Sequence, residues 1–311
     1  MTTYPGPVGR TARRLEWSFL PPALRAGIEH RCGSEVVEAI SQGSGFTPGF
    51  ASVLVCEDGS RHFVKAASVK AQRMFAESYR EEARKLAALP ASVPAPRLRW
   101  TIEADWVVLG IEHLDARPPH RPWRHDDLDA CLDSLEHIAA ALTPPPPELP
   151  LDSFAEEFVA FPALWRHVAA TRPDLPHLDE AALLAMRYAE VTTGDTVVHS
   201  DLRDDNALID REGRAWFCDW NFPVIGADWL DSLLLLIGPR GDGLDVDDVM
   251  AVRPLLRGVP PESVDVVLAL VTGYFWKSAD DPVPPSSPHI RDHQRWQGDV
   301  CWAWLCERRG W

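Results

Sequence analysis

Three polar residues in the stretch 199–231 could together bind a divalent cation and orient a hydroxyl group. Asp201 and Asn206 stand five positions apart, and Asp219 follows a short apolar run. Carboxylate and amide oxygens suit Mg²⁺, which is a hard cation. An aspartate, an asparagine five positions later and a second aspartate downstream is a pattern typical of loops that transfer phosphoryl groups. Each residue alone could equally be a loop or cap residue that satisfies nearby backbone groups.

Two short strands are expected to position these side chains. Residues 196–198 form an apolar run that leads into the polar loop, and residues 215–218 form a second run that ends at Asp219. A hairpin made of these two strands would bring the three polar side chains together.

Upstream, the chain offers a phosphate-binding turn and a candidate ion pair. The turn at Gly43, Ser44 and Gly45 would let backbone N–H groups approach an anion, although glycine-rich turns are usually only turns. Lys65 lies inside an apolar strand, and Glu82 falls on the apolar stripe of a predicted helix at 70–89. A carboxylate on a buried face needs a cationic partner, so Lys65 is predicted to pair with Glu82. The competing interpretation is a lysine that faces solvent.

The remaining periodicity predicts an α+β protein with two lobes. A short helix at 22–31 precedes five antiparallel strands, which are expected at 36–40, 50–56, 62–67, 97–103 and 106–111. Helices dominate the rest of the chain and are expected at 128–142, 152–170, 178–191, 244–257, 261–277 and 289–309. We therefore predict an N-terminal sheet lobe at 1–111, a hinge at 112–118 and a helical lobe at 119–311.

Composition narrows the class of protein and its partners. The chain has 311 residues, and 31 Lys and Arg against 46 Asp and Glu give a formal net charge of −15 and a pI near 5.1. This charge argues against nucleic-acid binding and against docking on anionic membranes. Six scattered cysteines without a C-x-x-C pair predict neither a zinc site nor a disulfide framework. With no signal-peptide pattern and no long apolar run, a cytoplasmic protein is expected, as a monomer or weak dimer.

The order of motifs resembles the aminoglycoside phosphotransferase family of small-molecule kinases. The resemblance runs from about Val36 onward. It rests on the glycine-rich turn, F-V-K at 63–65, E-x-x-x-L-x-x-L-P at 82–90, H-S-D-L-x-x-x-N at 199–206, C-D-W at 218–220 and G-A-D-W-L-D at 226–231. It implies a protein-kinase-like bilobal fold, with Mg²⁺ and ATP or GTP as co-substrate.

The resemblance also implies a role for each matching residue. Asp201 would orient the acceptor hydroxyl, and Asn206 and Asp219 would hold Mg²⁺. Lys65, fixed by Glu82, would contact the nucleotide phosphates. The other implied roles are phosphate cover for Gly43, Ser44 and Gly45, adenine contact for Glu112 and Leu114, and support of the loop for His199, Arg203 and Asp231.

Two departures from the family pattern occur in the catalytic loop. Ser200 replaces a common glycine, and Arg203, Asp204 and Asp205 replace a frequent H-P-G. The second departure changes the charge beside the acceptor, so the identity of the substrate does not carry over.

The sequence leaves three functions open. The leading hypothesis is an O-phosphotransferase that acts on a hydroxylated small molecule, such as an antibiotic or a biosynthetic intermediate. The second is a metabolic kinase for choline, homoserine or a related metabolite. The third, from a different class, is a non-catalytic nucleotide-binding module. A protein kinase is disfavoured because H-R-D, D-F-G and A-P-E are missing from the sequence.

Overall fold

Five antiparallel strands form the first layer of the protein. The computed structural model describes residue 4, residues 11–44 and residues 49–311. The strands are β1 (Val36–Ser41), β2 (Phe50–Cys56), β3 (Arg61–Ser68), β4 (Leu98–Glu103) and β5 (Trp106–Glu112). Their order across the sheet is β1-β2-β3-β5-β4, which confirms the predicted five-stranded antiparallel sheet.

Both faces of the sheet are covered, and this positions Lys65. Helix α1 (Pro22–Cys32) precedes the sheet, and its Ile28 packs with Val64 and Ala66 in a small core on one face. Side chains alternate along β3, so Lys65 points to the opposite face. Helix α2 (Arg73–Ala88) covers that face with Ala76, Tyr79, Glu82 and Leu86.

Helices form most of the second lobe, as predicted. They are α3 (His125–Ala141), α4 (Phe154–Glu157), α5 (Trp165–Thr171), α6 (Leu178–Met186), α7 (Tyr188–Thr192), α8 (Leu230–Gly241), α9 (Val246–Val252), α10 (Pro261–Ala279) and α11 (Ile290–Arg309). The core of this lobe lies where α10 packs along α11 and is filled by large side chains such as Trp276 and Trp304. Among the described residues, no helix combines the length and the apolar character needed to cross a bilayer.

The single helix predicted at 152–170 is wrong. The chain there breaks into α4, a short 3₁₀ turn at Pro162–Leu164 and α5. The capping box of Ser153 and Glu156 fixes the start of α4 close to the predicted start. The interruption comes at Pro162, which lacks the N–H that a continuous helix would use. The helix predicted at 178–191 likewise divides, at Arg187, into α6 and α7.

The predicted hairpin between residues 196–198 and 215–218 is also wrong. The first run forms β7 (Thr196–Val198), which pairs with β10 (Val224–Gly226). The second forms β9 (Ala215–Phe217), which pairs with β8 (Ala207–Asp210); the two-residue strand β6 (Ala116–Arg117) lies on the other side of β8. The partner strands are only three or four residues long, so their sequences carry too little periodicity to be recognised.

Candidate active site

The β8–β9 hairpin is what brings the asparagine and the second aspartate together. Ala207 lies opposite Phe217, so Asn206 and Asp219 stand at the same end of the hairpin. The Cys218 N–H donates to the Asn206 carbonyl at 2.9 Å and closes that end. Asp219 itself adopts a left-handed backbone, with φ of 65°.

Lys65 connects the two lobes at this point. Its Nζ donates to Glu82 Oε1 at 2.7 Å, in the sheet lobe, and to Asp219 Oδ1 at 2.9 Å, in the helical lobe. The predicted Lys65–Glu82 pair is therefore present, and the interpretation of Lys65 as a solvent-facing lysine is wrong. Only 12% of the Lys65 side chain and 1% of the Glu82 side chain are exposed.

In the triad of Lys65, Glu82 and Asp219, burial and charge shift each pKa in opposite directions. Burial alone would lower the pKa of Lys65, but the Asp219 and Glu82 carboxylates outweigh it and raise that pKa. Burial raises the pKa of Glu82 despite the attraction of Lys65. For Asp219, burial is outweighed by Lys65, so the pKa of that carboxyl is lowered. Lys65 is thus held charged by two carboxylates.

The loop at 199–206 places Asp201 against Arg203 and Asn206. Arg203 donates from Nη1 to Asp201 and from Nε to Asp205, the latter at 2.9 Å. The Asn206 Nδ2 donates to the Asp201 carbonyl at 2.7 Å and lies 3.4 Å from its Oδ2. Burial raises the pKa of Asp201 to about 6, with Arg203 acting in the opposite direction. At neutral pH Asp201 is therefore predominantly a carboxylate.

The altered residues of this loop divide their charges between two places. Arg203 lies between Asp201 and Asp205, whereas Asp204 turns away and accepts two hydrogen bonds from Arg121 at 2.9 Å. Arg121 also donates to Asp242 at 3.0 Å. Only Arg203 and Asp205 change the charge beside Asp201, and their charges are opposite.

His199 and Asp231 brace the loop from behind. The Asp231 carboxylate accepts the N–H groups of His199 at 2.7 Å and Ser200 at 2.9 Å. The Cys218 carbonyl at 3.0 Å must accept from His199 Nε2, so Nδ1 accepts the Asp201 N–H at 3.3 Å. Burial lowers the pKa of His199 and keeps the ring neutral, as this arrangement requires.

The backbone conformation of Ser200 shows why glycine suits this position of the loop. Its φ is 64°, a left-handed conformation that glycine adopts most readily. The Ser200 Oγ donates to the Phe222 carbonyl at 2.6 Å, a bond that glycine could not make.

A cavity of about 190 Å³ opens between the lobes at the Lys65–Asp219 contact, and Asp201 is not part of its lining. Lys65, Glu82, Asn206 and Asp219 line one part of it. The glycine-rich turn contributes Gln42 and Ser44, and the connector contributes Glu112, His113 and Leu114. Gly45 lies outside the described residues. The Gly43 carbonyl is engaged by the Thr11 and Ala12 N–H groups at 2.8 and 3.0 Å.

Sequence reasoning missed two residues of this region. Asn221 donates to Asp219 and accepts from Ser78 of α2 at 3.0 Å, so it is a second contact between the lobes. Arg14 lines the cavity although it comes from a segment with no recognisable motif. Asn221 directly follows the C-D-W motif, and only this proximity could have identified it.

Two oxygen atoms of Asp219 and Asn206 that these hydrogen bonds do not use could serve as ligands for a hard cation. Lys65 and Asn221 both donate to Oδ1 of Asp219, and Asn206 uses its Nδ2 toward Asp201. Asp219 Oδ2 and Asn206 Oδ1 are therefore the candidate ligand atoms. A carboxylate and an amide oxygen are ligands that suit Mg²⁺.

A second group of potential metal ligands lies elsewhere in the sheet lobe. Cys32, Cys56 and His62 have ligand atoms within 4.8 Å of one another, although the spacing of the cysteines had predicted no such cluster. They come from α1, β2 and β3, and none of them lines the cavity. Within the described residues the cluster offers three ligands, one fewer than a closed structural zinc site.

Comparison with known proteins gives structural neighbours only. No protein-family model and no curated protein matches the chain in sequence. A mutant of the aminoglycoside phosphotransferase APH(4)-Ia with AMP-PNP and hygromycin B is similar over 92% of this chain and 98% of that one, with a TM-score of 0.60 and 15% identity. Spectinomycin phosphotransferase APH(9)-Ia with ADP and spectinomycin is similar over 90% of this chain and 97% of that one, with a TM-score of 0.60 and 11% identity. Choline kinase LicA from Streptococcus pneumoniae is similar over 90% of this chain and 99% of that one, with a TM-score of 0.55 and 13% identity.

These neighbours agree with the fold that the motifs predicted. The chain has the bilobal fold of small-molecule phosphotransferases, with an antiparallel sheet lobe followed by a helical lobe. At identities this low the likeness concerns the fold, and function has to be argued from the site.

Proposed function

We propose that the protein transfers the γ-phosphoryl group of ATP or GTP to a hydroxyl group of a small polar molecule. The observation that carries this proposal is the position of Lys65, whose Nζ bonds Glu82 of one lobe and Asp219 of the other at the edge of a shared cavity. Phosphoryl transfer requires such a cation beside metal ligands.

The nucleotide would lie in the cavity between the sheet lobe, residues 1–111, and the helical lobe, residues 119–311, against the hinge at 112–118. The Glu112 N–H already donates to the Arg97 carbonyl at 2.8 Å, so the base would meet the Glu112 carbonyl and the Leu114 backbone. The turn at Gly43 and Ser44, with Gly45 beyond it, would cover the phosphates.

Asn206 and Asp219 would hold Mg²⁺, which when bound neutralises charge on the phosphates and orients them. Lys65 would donate to the phosphate oxygens, and Glu82 would keep its ammonium group in place. Since Asp219 contacts Lys65 directly, the cation and the metal ligand are positioned together.

Asp201 would act on the acceptor. Its carboxylate accepts a hydrogen bond from the substrate hydroxyl and takes the proton as the hydroxyl oxygen bonds to the γ-phosphorus. The bond from that phosphorus to the bridging oxygen breaks, and the nucleoside diphosphate leaves with its electron pair. His199 and Asp231 hold the Asp201 backbone during this step and exchange no proton with the substrate.

The site and its structural neighbours support a hydroxylated small molecule as the acceptor. Structures with this fold bind hydroxylated antibiotics such as hygromycin B and spectinomycin. Arg203 beside Asp201 keeps the acceptor side from being purely anionic. A neutral or zwitterionic polyol therefore fits as well as a cationic aminoglycoside, in an antibiotic or a biosynthetic intermediate.

The test is a panel of hydroxylated antibiotics and amino alcohols incubated with the protein, Mg²⁺ and either nucleotide. Mass spectrometry should show one compound gaining a phosphoryl group with the wild type and none with Asp201→Ala. Nucleotide binding without transfer to any member would count against the proposed antibiotic-like acceptor. Transfer that persists in Asp201→Ala would remove Asp201 from the catalytic role.

A metabolic kinase is the second candidate, because choline kinase LicA shares the fold over 90% of this chain. A rate for choline or homoserine well above that for every antibiotic in the panel would favour it. A non-catalytic module would instead show nucleotide-dependent thermal stabilisation with neither transfer nor slow hydrolysis.

A further inference from the structure

The segment before α1 runs beside the cavity, which Arg14 lines, and contacts both lobes. In this N-terminal arm, residues 11–15, the N–H groups of Thr11 and Ala12 donate to the Gly43 carbonyl, and the Leu15 N–H donates to the Gly49 carbonyl at 3.1 Å. The Arg13 N–H donates to the Ser286 carbonyl at 2.8 Å, in the helical lobe. The arm is thus fixed on both sides of the glycine-rich turn.

Arg14 directs its guanidinium group from this arm toward the turn and the cavity. Its Nε donates to the Gln42 carbonyl at 3.1 Å and its Nη2 to the Ser44 carbonyl at 3.3 Å. The side chain lines the same cavity as Lys65 and Asp219. The Arg14 guanidinium therefore contacts the phosphate-covering turn and lines the cavity that the proposed metal ligands also line.

The charge balance of the cavity calls for a second cation. Lys65 is already engaged by Glu82 and Asp219, and Asp205 adds another carboxylate to the lining. Arg203 is engaged by Asp201 and Asp205 in the same way. A nucleoside triphosphate brings several more negative charges, and planar guanidinium groups bind phosphate oxygens through two parallel donors.

We propose that Arg14 binds the β- and γ-phosphates of the nucleotide while it holds the glycine-rich turn through Gln42 and Ser44. This inference rests on the proposed nucleotide site and adds to it a residue from outside the recognised motifs. The Arg14 side chain then belongs to the nucleotide site, while the rest of the arm serves as its backbone support.

The test compares binding of a non-hydrolysable triphosphate analogue, with Mg²⁺, to binding of the matching nucleoside. Arg14→Gln should weaken analogue binding at least about tenfold and leave nucleoside binding unchanged. Arg14→Lys should bind the analogue more weakly than the wild type and more tightly than Arg14→Gln, because a lysine cannot reach both carbonyls and a phosphate. Arg13→Gln is the matched control, because the exposed neighbouring arginine uses its backbone in the arm, and it should bind both ligands like the wild type.

Unchanged analogue binding by Arg14→Gln would overturn the proposal. Equal weakening of analogue and nucleoside would also overturn it, because Arg14 would then only shape the turn. If the wild type bound neither ligand, the proposed function itself would fail. Thermal midpoints of the variants close to that of the wild type would establish that any loss of binding is local.

Discussion

The Lys65–Glu82–Asp219 triad predicts that its two ends respond differently to mutation. Two unit charges 2.7 Å apart attract by about 6 kcal/mol at an effective dielectric constant of about 20. The raised pKa of Glu82 indicates that burial of this carboxylate outweighs that attraction, whereas Lys65 has two carboxylate partners. The charge on Glu82 therefore destabilises the folded protein, whereas the charge on Lys65 stabilises it.

We expect Glu82→Gln to change the free energy of unfolding by less than about 1 kcal/mol, or to raise it, because glutamine can still accept from Lys65. Lys65→Met should cost about 3 kcal/mol, because it leaves a fully buried carboxylate without its cation. Adding Glu82→Gln to Lys65→Met should then restore stability. Denaturant unfolding of the wild type, both single variants and the double variant gives all three values.

Activity should separate from stability in the same variants. A neutral glutamine attracts the Lys65 ammonium less than a carboxylate does, so Asp219 competes for Lys65 more strongly and Glu82→Gln should lower kcat/KM roughly 10- to 100-fold. A Glu82→Gln variant that loses 3 kcal/mol or more, or a double variant less stable than Lys65→Met, would refute this reasoning.

Two further predictions concern sites away from the triad. Burial alone would raise the pKa of Asp127, but hydrogen bonds from Arg117 and His120 outweigh it and lower that pKa to about 2. The Asp127 charge therefore stabilises the fold above pH 4, and this contribution is lost as the pH falls toward 2. Asp127→Asn should therefore cost about 2 kcal/mol at pH 7 and progressively less below pH 4, and a gap independent of pH in denaturant unfolding would contradict this. At Ser200, replacement by Gly should change stability by less than about 1 kcal/mol, because relief of the left-handed backbone offsets the lost bond to Phe222, while Ser200→Val should cost about 2 kcal/mol. Equal thermal midpoints for these two variants would argue against backbone strain at Ser200.

Much of the fold was predictable because the periodicity of the long elements is strong. The alternating runs of β2 and β3 and the apolar stripe of α2 carry their own signals, and the stripe-facing Glu82 correctly indicated a partner in the sheet. The failures occurred where elements are short. The strands β8 and β10 contain four and three residues, so the pairing of β7 with β10 could not be read from the sequence.

The candidate site divides in the same way. Asp201, Asn206 and Asp219 were identifiable from their spacing, and the structure brings them together with Lys65. Arg14 was not, because a single arginine in an arm without periodicity gives no local signal. Its relation to the glycine-rich turn depends on hydrogen bonds from its side chain to backbone carbonyls about 30 positions away in the chain.

The measurement that tests the central claim most directly is calorimetric titration of nucleotide triphosphate with and without Mg²⁺. The acceptor need not be known for this experiment. The wild type should bind the nucleotide more tightly with Mg²⁺, Asp219→Asn should lose most of that gain, and Asp201→Asn should keep it. No binding by the wild type, or a Mg²⁺ gain that Asp219→Asn leaves intact, would contradict the assignment of this cavity to phosphoryl transfer.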